Sequence, residues 1–165
     1  MQDERQSRMA YSRVLQGNVG DFGHTHEDLD DRRIELHVIF TQVPGTLRAL
    51  EEATTLAKDL NARVRLLVPQ VVPYPLDLKS PPVLVEFNES RFLAMARAQS
   101  VETDVQIYLC RDAEALLIEK LSSPSIVIIG GLRRWWPTRE TRLARKLRQK
   151  GHHVVFAELR EAAHA

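Results

Sequence analysis

From Ile34 onward the chain alternates short apolar, β-branched runs with stretches of helical period: IELHVIFT, then TLRALEEATTLAKDLN, then RVRLLV. This alternation predicts a βαβ unit. In its helix, Leu47, Leu50, Ala57 and Leu60 fall on one stripe, Thr46 is placed to cap the start, and Asn61 can take the left-handed turn that ends it. The unit then repeats. A helix within 82–99 precedes the strand DVQIYLC, and a third helix follows, with Asp112 as its cap, Leu117 and Leu121 inward and Pro124 beyond its end. Strand SIVIIG leads to a last helix, which runs from a Thr138 cap just after Pro137 to Lys150 and Gly151, and HHVVFAEL closes the series.

Five strands thus alternate with four helices, and VIIG and VVF are apolar enough to be covered on both faces, as parallel strands require. The expected fold is α/β, a doubly wound five-stranded parallel sheet. A TIM barrel takes about 250 residues, more than this chain has. The segment PQVVPYPLDLKSPP holds Pro69, Pro73, Pro75, Pro81 and Pro82 and reads as a long, stiff loop over the carboxyl edge. Residues 1–33 carry few apolar side chains, three scattered glycines and the charge-dense GHTHEDLDDRR, so they read as a flexible N-terminal arm. The α/β domain is expected over 34–160, with a C-terminal tail at 161–165.

Composition agrees with a globular domain: 165 residues, 44% hydrophobic and 27% charged. Apolar runs stop after four or five residues, far short of the roughly 18–20 that cross a bilayer. The N-terminus, MQDERQSRMAYSR, is charged where a secretory signal would be apolar, and the single cysteine, Cys110, can form no internal disulfide. Both point to the cytoplasm. The net charge of +1 hides an asymmetry, because residues 132–150 hold eight basic side chains against Glu140 alone, which leaves −6 for the rest. That patch suits an anion, whereas the overall balance argues against a general nucleic-acid binder.

In such sheets ligands bind beyond the carboxyl ends of the strands, where the winding reverses. Two loops should meet there, Thr41–Thr46 after the first strand and Gly130–Thr138 after the fourth. Gly130 and Gly131 would let the backbone turn close to a ligand, while Arg133, Arg134 and the helix start at Thr138 offer an anion site. A bare turn with solvated arginines is the plainer alternative. Trp135 and Trp136 could stack on a ligand or dock on a partner, though burial of one indole under the last helix is the ordinary use of such a residue. Leu143, Ala144 and Leu147 form the narrow inner stripe of that helix, and its basic residues read as a solvated face. His24 and His26 with Glu27, Asp28, Asp30 and Asp31 are metal-ligand types without fixed geometry, and Cys110 reads as a small buried hydrophobe. No hydrolase elbow, P-loop or dinucleotide fingerprint is present in the sequence.

The five-stranded α/β order and the glycine turn after the fourth strand make residues 34–159 resemble the universal stress protein (UspA-like) family. The resemblance implies the order 3-2-1-4-5 of the adenine nucleotide alpha hydrolase-like folds and a stress-response binding module without catalysis. It also implies an ATP/AMP or phosphate pocket using Gly130 and backbone near Val68 at the end of the second strand. The ATP-binding members carry G-x2-G-x9-G-[ST] after strand four and an Asp ending strand one. Here Arg133 or Arg134 stands at the second glycine, Leu143-Ala144 or Ala144-Arg145 replaces the Gly-Ser, and Thr41 or its neighbour replaces the Asp. A homodimer is expected through the last strand, whose Val154, Val155 and Phe156 carry no proline or lysine to block edge pairing. Two alternatives stand beside this reading: a weak ATPase, with Asp112 the acid nearest the edge, and a nucleic-acid or membrane-surface contact through 132–150.

Overall fold

The computed structural model describes the strand at residues 11–16, residues 33–78 and residues 80–160. The expected arm and tail otherwise lie outside the described residues, as do His24, His26 and the acidic run after them. In chain order the elements are β1 (Tyr11–Gln16), β2 (Glu35–Ile39), α1 (Val43–Leu60), β3 (Arg63–Val71), α2 (Val85–Arg97), β4 (Thr103–Cys110), α3 (Ala113–Lys120), β5 (Ile126–Gly131), α4 (Arg139–Gln149) and β6 (His153–Glu158). The sheet order is β1-β4-β3-β2-β5-β6. Strands β2 to β6 are mutually parallel, which is the 3-2-1-4-5 order of a doubly wound α/β sheet. Winding first toward β4 and then back toward β6 places α1 and α2 on one face and α3 and α4 on the other.

Within the segment read as an arm, Tyr11–Gln16 adds a sixth strand, antiparallel to β4, with Tyr11 opposite Leu109 and Gln16 opposite Asp104. Hydropathy gave no signal for it because a six-residue edge strand needs no continuous apolar run; its hydrogen bonds come from a neighbour nearly one hundred residues away in sequence.

Alternation along the strands sorts the core into two layers. Leu36, Val38, Val64, Leu66, Val105 and Ile107 meet α1 and α2 on one face. Ile39, Leu67, Tyr108, Val127 and Ile129 meet α3 and α4 on the other. The buried face of α1 differs from the predicted stripe. Leu50 and Ala57 are buried as expected, but Leu47 and Leu60 are exposed, and Gly45, Thr46, Ala49 and Ala53 complete the buried face. Gly45, Ala49, Ala53 and Ala57 recur every four residues, so a row of the smallest side chains lies against the strands and the helix axis sits close to the sheet.

The start of α1 also differs. The helix begins four residues earlier than expected, at Val43, with Gln42 rather than Thr46 at its cap position and no side-chain cap. Thr46 lies inside the helix, and its Oγ1 accepts from the Thr41 amide at 3.2 Å. Pro44 in the first turn explains the early start, since it lacks an N–H that the turn would leave unpaired and its fixed φ already suits the helix. The other caps match the sequence reading. Asn61 has φ 50°, Asp112 accepts from Glu114 and Ala115 amides, and Thr138 accepts from the Thr141 amide.

Strand β3 runs further than expected and includes Pro69, opposite Tyr108. The ladder tolerates it because Leu67 turns its carbonyl toward Phe40 at the end of β2, so Pro69, two residues on, faces a side where β2 has already ended. The loop proper is therefore 72–84. Arg111 ties it down, donating to the carbonyls of Val72 at 2.8 Å and Leu76 at 2.7 Å and lying 4.1 Å from the centre of the Tyr74 ring.

Gly130 and Gly131 are the last two residues of β5 rather than a loop after it, and they face Ala157 and Glu158 of β6. Their alternation points Gly130 at α1 and Gly131 at α4. A Cβ on Gly130 would stand 1.7 Å from the carbonyl oxygen of Gly45, a clash with rigid backbone; on Gly131 it would meet side chains alone, Glu140 at 3.0 Å and Phe156 at 3.4 Å. Gly130→Ala should therefore destabilise the fold by about 3 kcal/mol or more, and Gly131→Ala by about 1 kcal/mol or less, in urea unfolding. Equal midpoints for the two variants would contradict this packing.

Candidate functional site

The winding reverses between β2 and β5, and the chain leaving β2 is held there by three contacts. Phe40 donates its amide to Leu67 at 2.9 Å, Thr41 Oγ1 donates to the Gly130 carbonyl at 3.0 Å, and Gly45 rests on Gly130. The space directly beyond the ends of β2 and β5 is thus occupied by the first turn of α1. What remains open lies to one side, on the α3–α4 face.

That opening is a crevice of about 550 Å³. Ile39, Phe40, Pro69, Val71, Leu117 and Leu143 supply its apolar surface, and Thr41 and Gln42 supply polar groups from the end of β2. Charge enters from the helices: Glu114 of α3, and Arg139, Glu140, Arg142 and Lys146 of α4. Lys146 and Glu114 form an ion pair that joins the two helices. The Glu140 side chain lies against Gly131. Arg142 is steadied by its Nε, which donates to the Thr138 carbonyl at 3.4 Å. Neither Arg139 nor Arg142 pairs with a carboxylate among the described residues, so the crevice has two guanidiniums to offer an anion.

Thr41 is the one expected ligand-binding residue that lines this crevice. Val68 is buried in the core on the α1–α2 face, although Pro69 and Val71 beside it reach the opening. Gly130 and Gly131 are buried in β5, where they seat the helices. Arg133 turns toward β6, 3.8 Å from Glu158, with its guanidinium 5.9 Å from the Phe156 ring. Arg134 lies 5.4 Å from the Trp136 ring, and the Thr138 hydroxyl is used as the α4 cap. Neither tryptophan is buried: Trp135 is 91% exposed and Trp136 45%.

Reading the basic residues of α4 as a solvated face passed over Arg139, Arg142 and Lys146. Their spacing of i, i+3 and i+7 was the available signal, since it sets them on one stripe beside Leu143. Other titratable groups nearby have structural roles. Burial, and then Asp112, push the Cys110 thiol up to about 11, so the neutral thiol dominates at physiological pH. Asp112 spends Oδ1 on two amides of α3.

At the opposite, amino edge the same sheet face carries a polar cluster. Glu35 Oε1 receives Arg63 at 3.1 Å and Arg65 at 2.9 Å. Burial lowers the His37 pKa and raises that of Asp104. His152 is buried and lowered by desolvation, and its Nδ1 accepts the Ser125 amide, which fixes the neutral tautomer. No group of three or more metal-ligating side chains occurs among the described residues.

No family model and no curated protein sequence matches the chain. Among the described residues no helix is long and apolar enough to cross a membrane.

Proposed function

We propose that the protein is a non-catalytic binding or signalling module of universal stress protein type, which takes a phosphate-bearing small molecule, an adenine nucleotide or phosphate itself, in the crevice between β2, α3 and α4. The observation that carries this reading is the pair of guanidiniums without carboxylate partners, Arg139 and Arg142, beside an apolar wall at the point of winding reversal. The ligand's phosphate would meet these arginines and Gln42, and its apolar or aromatic part would lie along Pro69, Val71 and Leu143. This differs from a seat in a glycine-rich loop, because the backbone of Gly45 fills that position. The non-catalytic reading is supported by Asp112, whose carboxylate caps α3, and by Thr41, whose hydroxyl bonds to Gly130. A magnesium-dependent phosphoryl transfer would need a free carboxylate at those places.

A thermal-shift screen with ATP, ADP, AMP, cyclic nucleotides and inorganic phosphate tests the site. A ligand at about 100 times its Kd adds about 2.7 kcal/mol, which raises Tm by on the order of 8 °C for a domain of this size. Arg139→Ala with Arg142→Ala should remove that increment, and Arg133→Ala with Arg134→Ala should leave it. The opposite pattern would move the site to the β5–α4 loop, and no shift with any of these compounds would reject the phosphate reading.

Assembly is proposed through the outer edge of β6. His153 and Leu159 turn their amides inward to β5, so Val154, Phe156 and Glu158 turn theirs outward. No strand covers this edge among the described residues. An antiparallel partner across a two-fold axis would pair these groups, displacing Arg148, which now donates to the Val154 carbonyl at 3.0 Å. Sedimentation at micromolar concentration should give a species near twice the 18.9 kDa chain mass. Val154→Pro, which removes an outward amide and no ladder bond, should return it to monomer. A wild-type monomer, or a dimer indifferent to Val154→Pro, would contradict pairing through this strand.

A further inference from the structure

The tryptophan loop is a second surface, separate from the crevice ligand. The protein has two tryptophans in all, and they are adjacent at the carboxyl edge, with ring centres 4.9 Å apart and planes at 79°. Trp135 is almost wholly exposed. They are not alone there. Tyr74 and Leu76 in the 72–84 loop, and Leu84 and Phe87 at the start of α2, are exposed at the same edge, Leu84 to 71% and Phe87 to 70%. Strands β3 and β5, which lead into these two loops, are separated only by β2, so their ends are roughly 10 Å apart. Arg133 and Arg134 flank the indoles, and Arg139 and Arg142 follow in the first turn of α4, within a segment of eight basic residues and one acid.

Indoles at a loop tip, aliphatic side chains beside them and a local excess of arginine are the composition that settles in the headgroup layer of an anionic bilayer. A single-stranded nucleic acid would need open ring faces in succession. Here the two rings meet edge to face, and Arg134 lies over Trp136. Leu76 and Leu84 have nothing to stack with a base. We propose that this edge docks reversibly on a membrane surface rich in anionic phospholipid, with Trp135 and Trp136 entering the headgroup layer and Arg133 and Arg134 meeting lipid phosphates and carboxylates. The contact is peripheral, since the anchor is two side chains and a charged rim.

Because both tryptophans are in this loop, intrinsic fluorescence reports the contact without a label. The full chain is titrated with vesicles of 30% phosphatidylserine in phosphatidylcholine, with pure phosphatidylcholine vesicles, and with a single-stranded oligonucleotide. The expected result is a blue-shifted emission and co-sedimentation with the anionic vesicles, at least tenfold weaker on phosphatidylcholine and at least tenfold weaker when salt rises from 50 to 500 mM. Trp135→Ala with Trp136→Ala should cut co-sedimentation at least tenfold while the protein stays folded, and Trp135→Ala alone should leave thermal melting unchanged, as its exposure implies. Unshifted emission with anionic vesicles, co-sedimentation that survives loss of both indoles, or tighter binding to the oligonucleotide than to the vesicles would each overturn the proposal.

Discussion

Backbone touches backbone where the winding of the sheet reverses, and the rest of the site follows from that contact. Gly45 in the first turn of α1 rests on Gly130 at the end of β5, and neither position has room for a Cβ: one on Gly45 would stand 2.6 Å from the Gly130 carbonyl oxygen. Thr41 fastens the same junction through its hydroxyl, and the alanine row of α1 continues the close approach along the sheet. On the other face, Gly131 leaves space for Glu140 at the start of α4. Two adjacent glycines at the end of one strand thus set the height of two helices on opposite faces.

With the central position filled, the opening at this edge lies to one side, between α3 and α4. The ion pair of Lys146 and Glu114 bridges them, so part of the helical charge is spent on joining the walls. Arg139 and Arg142 are the part left over. All four arginines of the helix are exposed; Arg139 and Arg142 differ from Arg145 and Arg148 in lining the crevice beside its apolar wall. The tryptophan edge has a different physical basis, in which apolar exposure and charge are offered outward to a surface.

The architecture was legible wherever one signal dominated. VIIG announced a buried parallel strand, Asp112 and Thr138 announced helix starts, and Asn61 announced a helix end; VVF marked a parallel strand too, but one at the sheet edge with its three side chains half-buried. Misreadings occurred where two constraints competed. Leu47 looked like core on hydropathy alone, but it is exposed: the row that meets the sheet is Gly45, Ala49, Ala53 and Ala57, with Leu50 buried beside it. Gly130 looked like a loop residue because glycine usually turns a chain, while here it serves close approach within a strand. β1 was hidden because edge pairing leaves almost no mark on a short sequence. At the crevice, Thr41 was foreseen from its place after the first strand, whereas the i, i+3, i+7 stripe of Arg139, Arg142 and Lys146 was masked by the many other basic residues of α4.

The central claim is that the ligand site lies between β2, α3 and α4 rather than in the glycine-containing turn. Amide chemical-shift mapping during titration with AMP, and separately with inorganic phosphate, addresses it residue by residue. The account predicts that perturbations cluster at Thr41, Gln42, Glu114, Arg142, Leu143 and Lys146, with Gly130 to Arg134 nearly still. Perturbations centred on Gly130 to Arg134, or none above the effect of matched ionic strength, would contradict it.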